Sequence, residues 1–331
     1  MRKFVFVLLF TIVSVATFGQ GDSLRRSRPL PVVHFADSST HIYAVQDGDT
    51  MRLNLFRPEK AREDGASVVY LYGGAFINGD RNDHLTRRDV NALLRAGFTV
   101  AAIDYRKFLS TVDFEAVPKK QWLALLDTAI GVATADCVAA VAYLTEQQLV
   151  DTSRMVLVGT SAGAIAVLQL DYARVNELPI VDGLPKGWCP SAVVGYAGAV
   201  FDRYGSIVYN REPAPTAFFY GEQDRVVPYG CLSLFANHYA GSECLLGNFA
   251  DNDFTYWGFR YLGHGHEVSA YIHRTMNEFV AFVDAALSGR RIHYHTDCAA
   301  AELKIRPASR YSLMGIMRSN DGFEGLFDEE E

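Results

Sequence analysis

The chain has 331 residues, 49% hydrophobic and 21% charged, which excludes a disordered or fibrous protein and allows one large α/β domain or two small ones. The formal net charge of −7 comes without any stripe of Lys and Arg, so nucleic acid is not an expected partner. With 27 glycines against 11 prolines, many tight turns are expected, as in folds that alternate strands and helices.

The N-terminus reads as a signal peptide over 1–19. Arg2 and Lys3 form a basic start, and Phe4 to Phe18 an apolar run short for a membrane span. Thr17 and Gly19 are small enough for the −3 and −1 positions, so cleavage is expected before Gln20, with a secreted or periplasmic protein and no remaining span. Residues 20–40 read as a polar, extended leader. The cysteines are Cys137, Cys189, Cys231, Cys244 and Cys298. Cys231 and Cys244 are closest in sequence and could bridge, but a core this large needs no covalent staple, and free buried thiols are the expectation.

Segment by segment, His41 to Phe56 looks like one or two edge strands. Ser67 to Tyr72 is a continuous apolar run, the pattern of a strand buried on both faces, ending at Gly73-Gly74. A helix is expected over Asp89 to Ala96, and a buried strand over Phe98 to Ile103. Trp122 to Gln148 reads as one long helix or two broken near Gly131. Met155 to Val158 is a third buried strand, leading through Gly159-Thr160-Ser161-Ala162-Gly163 into a helix to about Arg174. Further strands are expected over Ala192–Ala197, Thr216–Tyr220 and Thr255–Leu262, and a closing helix over Ser269–Leu287. The alternation predicts an open, mostly parallel sheet with helices on both faces over 41–289, and a peripheral tail over 290–331. Sites in such folds gather at the strand C-termini.

Four stretches carry chemistry. Gly159-Thr160-Ser161-Ala162-Gly163 is a G-x-S-x-G between strand and helix, where small flanking residues allow the sharp turn that exposes a serine hydroxyl. Asp224 lies just past the strand ending at Gly221 and can orient a base, with Glu222 as a possible substitute. Gly263-His264-Gly265-His266 offers two histidines; His266 is favoured as the base, leaving His264 as a loop or pocket-wall residue. Tyr72-Gly73-Gly74-Ala75-Phe76 can turn backbone N–H groups of Gly74 and Ala75 towards an oxyanion, joined by that of Ala162. There is no GxxxxGK[ST], HExxH or helix-opening GxGxxG, so no cofactor or metal is expected. His293 and His295 read as part of a solvated tail strand.

Over about residues 45–287 the chain resembles the α/β-hydrolase superfamily, on its esterase and lipase side. The resemblance is carried by Y-G-G-A-F at 72–76, I-D-Y-R at 103–106, G-T-S-A-G at 159–163, G-E-Q-D-R-V-V-P at 221–228 and G-H-G-H-E-V at 263–268. It implies Ser161 as nucleophile, Asp224 as acid, His266 as base, and Gly74, Ala75 and Ala162 as oxyanion donors. Where many esterases have H-G-G-G, this chain has Tyr72-Gly73-Gly74-Ala75, with Ala75 in place of a third glycine. The implied activity is hydrolysis of small-molecule or glycan-linked carboxylic esters, with short acyl chains favoured because 107–120 and 172–190 suffice only for small caps. A peptidase of prolyl-oligopeptidase type and a non-catalytic binding module are the alternatives. Phe76, Tyr105, Tyr256 and Trp257 are candidates to line a pocket.

Overall fold

The computed structural model describes residues 30–299 apart from 115, 203–204 and 235–236. The signal peptide expected over 1–19 lies outside the described residues, as do residues 20–29 of the leader and the acidic C-terminal end.

Among the described residues, a nine-stranded sheet runs in the order β1-β2-β4-β3-β5-β6-β8-β11-β12. Its strands are β1 (Asp37–Gln46), β2 (Asp49–Arg57), β3 (Ser67–Leu71), β4 (Thr99–Ile103), β5 (Met155–Thr160), β6 (Ala192–Tyr196), β8 (Thr216–Gly221), β11 (Tyr256–Tyr261) and β12 (His293–Cys298). From β4 to β12 every pairing is parallel; only β1 and β2 introduce antiparallel neighbours at one edge. The helices are α1 (His84–Arg95), α2 (Trp122–Glu146), α3 (Ala162–Val175), α4 (Ser242–Asp251) and α5 (Met276–Leu287). The continuous apolar runs are the central strands, as their composition predicts: every residue of β3, β5, β6 and β8 is buried.

Register across the middle of the sheet is held by a row of rings on adjacent strands. Tyr196 faces Phe219, and Phe219 faces Phe259, in the parallel pairing of β6, β8 and β11. Their rings stack with centroids 4.3 Å apart at each step, and Trp257 extends the row. Such pairs contribute about 0.5–1.5 kcal/mol each beyond burial. A one-residue slip would turn the whole row to the opposite face. At the other side, the Arg106 of I-D-Y-R bonds Asp136 on α2 through both its guanidinium (Nε–Oδ1 3.0 Å) and its backbone N–H (2.7 Å), tying the loop after β4 to that helix. α2 is long and apolar enough to cross a membrane, but half of that apolar stretch is buried in the domain.

Several boundaries differ from expectation. Helix α1 starts at His84, because the Asp83 carboxylate caps it by accepting from the Thr86 N–H at 2.7 Å. α2 runs unbroken through Gly131. α5 starts only at Met276; residues 266–274 form two 3-10 turns, and the Thr275 N–H and hydroxyl both donate to the Tyr271 carbonyl (3.1 and 2.9 Å). The expected tail contributes an exposed edge strand, β12, parallel to β11. The stretch 199–251 holds elements that the sequence reading leaves out: α4 and a small antiparallel sheet of β7 (Ala199–Asp202), β10 (Asn237–Gly241) and β9 (Cys231–Leu234).

The expectation of free thiols is corrected for one pair: Cys231 and Cys244 form a disulfide that joins β9 to the first turn of α4. The loop it closes spans 13 residues. Chain-entropy arguments put the stabilisation from a loop of this size at about 3 kcal/mol. The double variant Cys231→Ala/Cys244→Ala is therefore expected to lose about 2–3 kcal/mol of unfolding free energy in urea titration under oxidising conditions. An unchanged midpoint would show that the bridge contributes no stability.

Candidate active site

The sharp turn after β5 is forced by backbone packing. Ser161 sits at φ 51°, ψ −118°, a conformation non-glycine residues rarely adopt. Two contacts hold it: its N–H donates to the Tyr196 carbonyl (2.8 Å) and its own carbonyl accepts from the Ile165 N–H (2.9 Å). The glycines on either side have no room for a side chain. A Cβ on Gly159 would stand 2.3 Å from the Gly163 backbone, and one on Gly163 would stand 2.2 Å from the Leu71 carbonyl oxygen. The serine hydroxyl is thereby presented at the C-terminal edge of the sheet, at the N-terminus of α3, where the helix dipole favours negative charge.

Asp224 and His266 arrive on loops after β8 and β11. Asp224 is nearly fully buried; its Oδ1 accepts from the N–H groups of Val226 (2.9 Å) and Val227 (3.0 Å). Its Oδ2 lies 2.8 Å from His266 Nδ1, and His266 Nε2 lies 2.8 Å from Ser161 Oγ. A carboxylate only accepts, so Nδ1 carries the proton and Nε2 of a neutral imidazole is left to accept from the serine hydroxyl. Asp224, His266 and Ser161 thus stand in one unbroken line of hydrogen bonds. The structure brings together these three positions, which the sequence singles out.

Glu222 and His264 have other places. Glu222 Oε1 accepts from the Gly263 N–H at 2.8 Å, steadying the turn ahead of the base. His264 is buried, with Nδ1 3.0 Å from the Tyr271 hydroxyl and 3.3 Å from Glu267 Oε1. Its carbonyl accepts from the Gln223 N–H (2.8 Å), so it joins the base loop to the acid loop. The buried network of Glu267, Tyr271 and His264 is absent from the sequence reading; the 3-10 turn that gathers these residues has no periodic signature.

Gly73 lies directly beside the nucleophile, since a Cβ there would be 3.1 Å from the Ser161 Cβ. The following residues turn tightly through positive φ: Gly74 at 135°, Ala75 at 56° and Phe76 at 59°. Gly74 cannot carry a side chain, because a Cβ would meet the Asn78 carbonyl oxygen at 2.2 Å, whereas Ala75 is accommodated in the left-handed region. The amides of Gly74, Ala75 and Ala162 donate to no partner among the described residues.

A cavity of about 160 Å³ opens at Ser161 and His266 and runs between the Gly73-Gly74 turn, α1 and residues 269–270. None of the aromatic candidates lines it. Tyr105 stacks on Tyr72 and meets Phe76 edge-on within the core, and Tyr256 and Trp257 pack against His293 and Tyr294 of β12. Segments 107–120 and 172–190 do not line it either.

A sequence model of the BD-FAE family matches residues 53–172, from β2 through α3. In this matched segment and in its fold the chain is similar to α/β-hydrolase esterases. Among solved structures it is similar to the apo form of Thermogutta terrifontis esterase 2, with 16% identity over 75% of this chain and 95% of that one and a TM-score of 0.52. Esterase B from Lactobacillus Rhamnosis (HN001) is similar at 17% identity, over 78% of this chain and 89% of that one, with a TM-score of 0.53. No curated protein sequence matches the chain.

The turn at the nucleophile yields a direct test. Gly163→Ala puts a methyl against the Leu71 carbonyl, where neither backbone can yield. We expect loss of several kcal/mol of stability, or no folded protein. Circular dichroism and urea unfolding check this, and a variant as stable as the parent would contradict the packing described.

Proposed function

We propose that the protein is an exported serine esterase that cleaves short-acyl carboxylic esters through an acyl-enzyme on Ser161. The reading rests on the Ser161–His266–Asp224 line of hydrogen bonds at the mouth of a small cavity. In this mechanism the Ser161 oxygen attacks the ester carbonyl while His266 Nε2 takes its proton. Asp224 holds the imidazole by Nδ1 and balances the charge of the imidazolium. The tetrahedral oxyanion is stabilised by N–H groups of Gly74, Ala75 and Ala162, each such donor lowering the barrier by about 3 kcal/mol. His266 then gives the proton to the leaving alcohol, and water attacks the acyl-enzyme by the same path in reverse.

The cavity favours short acyl chains. A space of similar size, about 150 Å³, holds a ligand of roughly six non-hydrogen atoms. Export is supported by the basic start and apolar run at the N-terminus, and by the Cys231–Cys244 bridge, which persists in oxidising compartments. Thermogutta terrifontis esterase 2 is described phosphoramylated by tabun, which recommends an organophosphorus probe here.

Purified protein is expected to hydrolyse p-nitrophenyl acetate and butyrate much faster than the dodecanoate. Ser161→Ala and His266→Ala should each lower kcat/KM by at least about 10³-fold. A fluorophosphonate should add its mass to Ser161 and to no other residue. Inertness towards every ester and towards the probe would refute the esterase reading. Activity retained in His266→Ala would remove the base assignment. For export, the mature protein recovered from a secreting host should begin at Gln20; an intact Met1 start in that fraction would contradict cleavage.

A further inference from the structure

Two groups at the inner end of the catalytic cavity take no part in the mechanism above. Asp89, on α1, is 1% exposed and lines the cavity beside Tyr70 of β3. The Tyr70 hydroxyl donates to its Oδ2 at 3.0 Å, and the Arg88 guanidinium reaches its Oδ1 at 3.2–3.3 Å. An ionised carboxylate can accept about four hydrogen bonds, so Oδ2 retains acceptor capacity. Ser269, 9% exposed, also lines this cavity. A buried carboxylate with spare acceptor capacity thus shares a cavity with a serine hydroxyl and with Ser161. This polar lining suits an occupant that can both donate and accept a hydrogen bond.

We propose that this cavity is the acyl subsite and that it selects short acyl groups bearing a hydroxyl, which donates to Asp89 and accepts from Ser269. The proposal rests on the esterase reading above and names its substrate class. The acyl half belongs here because it stays bonded to Ser161 while the alcohol departs. A small pocket lined by Tyr70, Asp89 and Ser161 together suits the retained part. A hydroxyl fits better than an ammonium, because the Arg88 guanidinium already pairs with the carboxylate, and a second buried cation would lie close to it. A 3-hydroxybutyryl group, with six non-hydrogen atoms, matches the roughly six that such a volume holds.

Burial pushes Asp89 up to about 6, against the lowering effects of Arg88 and Tyr70. The charged and titratable groups around it are Arg88 and Asp83 on the α1 side, Tyr70 from β3, Tyr196 from β6, His273 from the 3-10 turn ahead of α5, and His266, which lines the same cavity. Burial holds Tyr70 protonated far above its ordinary range and pushes His273 down to about 3, so neither changes charge near neutrality. Above about pH 6 Asp89 is a full acceptor; below it the added proton occupies one lone pair and removes the charge.

The test compares p-nitrophenyl 3-hydroxybutyrate, each enantiomer separately, with p-nitrophenyl butyrate. The ratio of their kcat/KM values cancels the titration of the shared triad. In the wild type the better hydroxylated enantiomer is expected to be favoured about tenfold or more at pH 8. That ratio should fall towards one in Asp89→Asn and in Ser269→Ala, and should decline as pH drops through about 6 in the wild type. Should Asp89→Asn fail to fold by circular dichroism, Ser269→Ala and the pH dependence carry the test. A wild-type ratio at or below one for both enantiomers would overturn the proposal, as would a preference unchanged in both variants. An enzyme that cleaves butyrate without that preference would overturn the subsite assignment alone, whereas one inert to both esters would overturn the esterase reading.

Discussion

Gly163 lies so close to the end of β3 that its α-carbon packs against the carbonyls of Leu71 and Tyr72, and Gly159 packs in turn against Gly163. This approach of three backbone segments leaves the chain one path from β5 into α3, and that path puts Ser161 in a conformation costing on the order of 1–3 kcal/mol. The surrounding structure over-determines it. β5 is buried between β3 and β6, and the Ser161 N–H is already committed to Tyr196 on β6. Once Ser161 is held in this way, a carboxylate and an imidazole can reach it only from neighbouring strand ends on the same edge.

Those ends are aligned by two separate devices. Within the sheet, the row of stacked rings from Tyr196 through Phe219 to Phe259 holds β6, β8 and β11 in register. Beyond it, the two loops are joined to each other. The Gln223 N–H bonds the His264 carbonyl, the Gly263 N–H bonds Glu222, and a Cβ on Gly221 would collide with the carbonyls of His264 and Gly265. The 2.8 Å between His266 and Asp224 is thus a consequence of backbone contacts, with His264 serving as the join. The far side of the acid loop is fastened as well. The Gly241 N–H bonds the Gly230 carbonyl, the Glu243 N–H bonds that of Tyr229, and the Cys231–Cys244 bridge closes the same corner.

The parts legible in the sequence are those where one physical signal dominates. Strands buried on both faces appear as unbroken apolar runs, and the serine, acid and base stand beside glycines at the ends of such runs. Within 199–251, β7, β9 and β10 were illegible because they are short and their small sheet lies outside the main layer, so neither alternation nor a long run develops. Ser269–Leu287 carries apolar residues at a spacing that suits an α-helix, but successive 3-10 turns bury the same positions. That ambiguity moved the start of α5 and concealed the inward-facing Ser269. Asp89 was concealed differently: the expected helix began with it, whereas with the start at His84 it falls in the second turn and is buried.

A division of labour between edge and wall follows. The reaction class is written at strand C-termini, where sharp turns require glycine and so leave motifs such as G-T-S-A-G and G-H-G-H. Selection of the acyl group falls to Tyr70 in mid-strand, Asp89 inside a helix and Ser269 in a 3-10 turn, positions whose backbone is ordinary and imposes no neighbouring residue. Side walls of this kind can change one residue at a time without disturbing the backbone approach that holds Ser161. Two chains with the same edge can therefore differ wholly in the acyl group they accept. For this chain, the polarity of the cavity lining is a better guide to the proposed substrate than its likeness to esterases of known structure.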